Sequence, residues 1–184
     1  GLGLEVTEHS DEHLCLRAIE EVAHHSLRFD KVDRDGPGQV RAIGYRMFSD
    51  DDLRRAFDWL SARGDNPAWV ERPFQGLTLH VVDAVGVPVE FSATMPGPEN
   101  RMRHFHTHVG GKLVFLDHVQ VATHDVQAAY DWYIDLGFRL TEYTATDGSD
   151  AIVACGVTRR CRWVGGEALE DGEVDAEAEP SRRR

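Results

Sequence analysis

The feature that most constrains this chain is an internal repeat. RAIGYRMFS, at 41–49, alternates enough to predict a strand, and SDDDLRRAFDWLSARG behind it places Leu53, Ala56, Phe57 and Leu60 on one helical face. Ser49 or Asp50 can cap that helix, the aspartates suit the positive end of its dipole, and Gly64 can supply a left-handed stop. AWVERP, LTLHVVD and VPVEFSATM then read as three strands, the last two separated by the turn-like AVG. In LDHVQVATHDVQAAYDWYIDLGFRLTEYT, at 116–144, Val126, Ala129, Tyr130 and Tyr133 mark a second helical face, which Asp125 can cap and Gly137 can end. The two stretches superpose without a gap: Asp52 on Asp125, Leu53 on Val126, Phe57 on Tyr130, Gly64 on Gly137. A βαβββ unit used at least twice predicts an α+β fold of curved mixed sheets, each backed by a helix.

The flanking segments fit parts of that unit. LEVTEHS, HLCLRAIE and HHSLRFDKV fit its last three strands, so residues 1–35 form a partial first module whose front is expected to be missing. Residues 37–96 form a complete second module, 97–112 a linker, and 113–157 a partial third module that offers a strand, a helix, FRLTEYT and AIVACGV. Beyond Val157 the sequence turns rich in Arg, Gly, Ala and Glu without sustained periodicity, which predicts a disordered or aberrant, out-of-frame tail over 158–184.

A formal net charge of −12 argues against nucleic acid or an anionic membrane as partner, since either would repel such a surface. A small molecule is the better expectation. Cys15, Cys155 and Cys161 form no CxxC pair and are odd in number, so neither a disulfide framework nor a structural zinc motif is suggested, and a reducing, cytoplasmic setting fits. No apolar run approaches the roughly 18 residues of a spanning helix. Gly-rich phosphate loops, nucleophile elbows and HExxH helices are absent from the sequence.

Chemistry is therefore sought among histidines and carboxylates. His118 corresponds to Tyr45 in the repeat, each on the first strand of its unit, and an imidazole there can either bind a divalent metal or make a structural hydrogen bond. HFHTH sets His104, His106 and His108 at alternating positions, one side of an extended segment, but in a Pro/Gly-flanked connection without a suitably spaced carboxylate. His24 and His25, in a strand, would point to opposite faces and could not act as a pair. Glu90, near the end of a last strand, could ligate a metal, but with Tyr45 as its partner position a salt bridge or hydrogen bond is the expected role.

GLEVTE, RAIEEVAHHSL, AIGYRMFSDDDLRRA, VVDAVGVPVEF and, most specifically, LDHVQVATHDVQAAYDWYIDLGFRLTEYT resemble in order and spacing the extradiol ring-cleaving dioxygenases of the vicinal-oxygen-chelate type, the catechol 2,3- and homoprotocatechuate 2,3-dioxygenases. That resemblance implies four βαβββ modules in two domains and a non-haem Fe(II), or Mn(II) in its place, held by two histidines and a glutamate. The first histidine stands in the motif that reads LDHVQ here, which carries over to His118. It also implies a catecholic substrate and O2 brought together on the metal, a ring-opened semialdehyde-type product, and a homo-oligomeric full-length protein. The second histidine and the glutamate belong to the family's fourth module, and an acid/base histidine to the region after AIVACGV; this sequence has no matching positions. The polypeptide alone is accordingly expected to be inactive. A non-catalytic binding module or pseudoenzyme of the same superfamily, and a glyoxalase-like metalloenzyme, stand as the alternatives.

Overall fold

A computed structural model of the chain describes residues 1–32, 38–145 and 152–159, with residues 145 and 152–159 as backbone only. It is a mixed α+β structure. Strands β1 (Glu5–His9), β2 (His13–Arg17) and β3 (Leu27–Asp30) form an antiparallel sheet in that order, with a bulge between Val6 and Glu8. Then follow β4 (Ile43–Arg46), α1 (Asp50–Arg63), β5 (Ala68–Val70), β6 (Thr78–Val82) and β7 (Pro88–Ser92), whose sheet has the order β4-β7-β6-β5. Only the β4–β7 pairing is parallel. This is the βαβββ unit expected from the repeat. Helix α2 (Val126–Asp135) leads into β8 (Phe138–Ala145), which pairs with β9 (Ile152–Arg159).

The α1 boundaries follow from its sequence. Ser49 Oγ accepts from the Asp52 amide at 3.1 Å and donates to the Asp52 carboxylate at 2.8 Å, closing the first turn. Gly64 stops the helix at φ +85°, where a side chain would be strained. Leu53, Ala56 and Leu60 are buried against Leu79, Val81, Val89 and Phe91 of the sheet, and Phe57 stacks on Trp69 with centroids 5.0 Å apart. Helix α2 joins the same core through Trp132, Tyr133 and Leu136, followed by Phe138. The Tyr45 ring meets those of Phe91, Tyr133 and Phe138, and Arg63 bonds Asp135 at 2.9 Å between the helices.

Both expected caps form: Ser49 caps α1, and Asp125 caps α2 by accepting from the Ala128 amide, while Gly64 and Gly137 both take positive φ. The caps are 76 positions apart and the glycines 73, so α2 starts three residues later in its unit. The strand expected at LDHVQ is not formed among the described residues. The reason lies in the topology: β4 is an edge strand whose one ladder is with β7, the last strand of its own unit. After α2 the described strands β8 and β9 pair with each other, and no counterpart of β7 is described for residues 113–123 to join. Isolated bonds to Leu2, Glu20 and Glu21 tie 113–116 in place of a ladder.

Among the described residues no helix is long and apolar enough to cross a membrane. The tail expected over 158–184 lies outside the described residues, except that β9 runs through Thr158 to Arg159.

Candidate functional site

Side chains alternate across a strand, so the register of the β4-β7-β6-β5 sheet sorts its residues onto two faces. Tyr45, Phe91, Leu79 and Trp69 form one row beneath the helices. Gly44, Glu90, His80 and Ala68 form the neighbouring row on the opposite, polar face, with Arg46, Ser92, Thr78 and Val70 beside it. Glu90 is level with Gly44, and Tyr45, the counterpart of His118, lies on the opposite face. Glu90 is buried, and its Oε1 accepts from Arg72 Nε at 2.9 Å and Nη2 at 2.5 Å, with His80 Nδ1 at 3.4 Å. The expected salt-bridged role is the one observed. The guanidinium fixed on Oε1 balances the buried carboxylate's charge without a cation.

His118 lies in the unpaired segment, with its side chain 77% exposed. Its Nδ1 is 2.9 Å from Asp117 Oδ2. In the neutral ring, a carboxylate accepting from Nδ1–H selects the tautomer whose Nε2 can donate to a metal. Among the described residues, however, no group of three donors includes His118. The described residues therefore do not by themselves assemble the two-histidine, one-carboxylate set of an extradiol iron centre.

The HFHTH segment is a 3-10 turn over Phe105–Thr107, not an extended run. The Thr107 amide donates to His104 O at 2.9 Å, and the rings of His104 and His106 are exposed with centroids 5.9 Å apart. The alternation that would have aligned three imidazoles is lost in the turn.

His24 and His25 behave contrary to expectation in the other direction. They precede β3, in the connection from β2, and without strand alternation their rings converge, with Nδ1 atoms 3.0 Å apart. Cys15 on β2 completes a group whose donor atoms all lie within 4.8 Å of one another. Burial lowers the His24 pKa and pushes that of His25 down to about 4, the neighbouring His24 adding to the second shift. Burial raises the Cys15 thiol, against the pull of the Arg28 guanidinium. The convergence was not legible from spacing, because the strand was expected to begin at His24, three residues early.

No protein-family model and no curated protein matches the chain. Solved structures do. The native homoprotocatechuate 2,3-dioxygenase from Arthrobacter globiformis matches at TM-score 0.78 and 29% identity, over 86% of this chain and 49% of that one. An extradiol ring-cleaving dioxygenase from B. fuscum matches at TM-score 0.76 and 30% identity, over 86% of this chain and 44% of that one. A variant of the B. fuscum homoprotocatechuate 2,3-dioxygenase in complex with HPCA gives 0.77 and 29% with the same coverage. The chain thus spans slightly less than half the length of these neighbours. Its fold is that of the extradiol dioxygenases of the vicinal-oxygen-chelate type, shared with the homoprotocatechuate 2,3-dioxygenases over that span.

Proposed function

We propose that this chain is of the extradiol type, whose members cleave catecholic rings with O2 at a non-haem Fe(II), or Mn(II) in its place, and that His118 is one protein ligand of that metal. The observation that carries the reading is the likeness to homoprotocatechuate 2,3-dioxygenases across 86% of the chain. The Asp117 contact at Nδ1 supports the ligand role, because it orients the ring and frees Nε2. Cytoplasmic location and a homo-oligomeric full-length protein belong to the same reading.

It follows that this polypeptide by itself does not turn over. One imidazole on an exposed segment cannot fix a ferrous ion in a defined geometry, and a metal bound by water on most sides is held weakly. The test is a ring-cleavage assay on the purified chain with added ferrous iron, homoprotocatechuate and air, followed by the yellow ring-opened product. No product is expected above the protein-free control; turnover by the chain would overturn the statement. The second reading, a metal-free small-molecule binding module, is favoured by the lack of a co-ligand near His118 among the described residues. Calorimetry with a catechol in the presence of chelator separates the two, since binding that survives chelation supports the module.

A further inference from the structure

We propose that Cys15, His24 and His25 form a second metal site, selective for a borderline-soft divalent ion, zinc above all, and separate from any centre at His118. One thiol and two imidazoles are a zinc-type donor set, whereas Mg²⁺ and Ca²⁺ favour oxygen donors and extradiol iron requires a carboxylate. Four-coordinate bonds of about 2.0–2.3 Å place neighbouring donors roughly 3.3–3.7 Å apart. The observed cluster, with two nitrogens at 3.0 Å and all donors within 4.8 Å, needs side-chain adjustments of about 1 Å or less to reach that geometry.

The donors are also held in place. Cys15 is fully buried on the central strand of its sheet, laddered to Glu8 on β1 and Arg28 on β3. The His24 ring is stacked on Phe74, centroids 3.9 Å apart and planes within 4°, and Phe74 itself is held at φ +64°. Two neutral imidazoles facing each other through Nδ1 can share one hydrogen at most. A cation between them and the sulfur would use both lone pairs at once. Of the charged groups around the cluster, Glu8 and Asp30 favour a cation, while Arg17, Arg28 and protonated His13 oppose it. Arg28 is neutralised by Asp30 at 2.7 Å and Arg17 by Glu5 at 3.5 Å. Three protein donors leave a fourth position for water or another small ligand.

The test is a cobalt titration of the chelator-treated full chain. One equivalent of Co²⁺ should produce a thiolate-to-cobalt charge-transfer band together with the intense visible bands of four-coordination, and zinc should displace it. The His25→Gln variant should weaken binding by at least about tenfold. Cys15→Ser should remove the charge-transfer band, and because a buried substitution can impair folding, the Cys155→Ser/Cys161→Ser double variant supplies the complement and should retain it. His118→Asn should leave the titration unchanged. Absence of the band in the unaltered chain, its persistence in folded Cys15→Ser, its loss in the double variant, or its loss with His118→Asn would each overturn the proposal.

Discussion

Replacing Glu90 by alanine should destabilise the chain by about 2–3 kcal/mol, through loss of an internal ion pair and not through loss of a ligand. Breaking a buried pair by removing one partner costs about 3–5 kcal/mol, because the remaining charge is stranded. Here Glu90 is the deeply buried partner, at 8% side-chain exposure, while Arg72 keeps 22% and can recover part of its hydration, which sets the value at the lower end, about 2–3 kcal/mol. Glu90→Gln keeps the volume and one acceptor oxygen, so about 1–2 kcal/mol is expected. Arg72→Met should cost more than Glu90→Gln, since it leaves the buried carboxylate facing only His80. Urea denaturation of Arg72→Met, Glu90→Ala and the Arg72→Met/Glu90→Ala pair forms a double-mutant cycle, with a coupling of about 1.5–3 kcal/mol expected. A stability change below about 0.5 kcal/mol for Glu90→Ala, the level of an ordinary surface change, would refute the reasoning.

Leu60→Ala should cost about 3 kcal/mol, read as a lower urea midpoint, because Leu60 is fully buried between α1 and its sheet. Gly64→Ala should cost about 1 kcal/mol in the same assay, as alanine must adopt the left-handed backbone at φ +85°. In chelator, stability should fall as pH drops from about 6.5 toward 4, because His25 has its pKa lowered in the folded chain and the unfolded chain takes up the proton first. Above that window both states hold a neutral ring and the contribution is level. The slope should shrink in His25→Gln, as followed by denaturation across the pH series.

What the sequence disclosed and what it withheld divide along the range of the interactions. The α1 helix was legible because its determinants are local: Ser49, three aspartates, an apolar stripe and Gly64 all lie within one short stretch. The βαβββ order followed from strands bounded by turns. Strand register was not legible to the residue. That Glu90 lies level with Gly44, and on the face opposite Tyr45, is set by the β4–β7 ladder and by no local pattern. The LDHVQ segment failed as a strand for a related reason. Its alternation is adequate, but a strand exists only with a partner, and none is described beside it. The Cys15, His24 and His25 cluster was hidden because β3 begins at Leu27, leaving both histidines in a connection whose shape depends on packing against Phe74.

The role of His118 is tested most directly in a chimera in which residues 1–157 replace the matching part of the B. fuscum homoprotocatechuate 2,3-dioxygenase and the rest of that enzyme is kept. Iron content and ring cleavage are measured with and without His118→Ala. The expected result is an iron-bearing, ring-cleaving chimera that loses iron and more than about a hundredfold of its activity on substitution, beyond what losing a supporting contact produces. Iron and turnover that both survive His118→Ala would contradict the assignment.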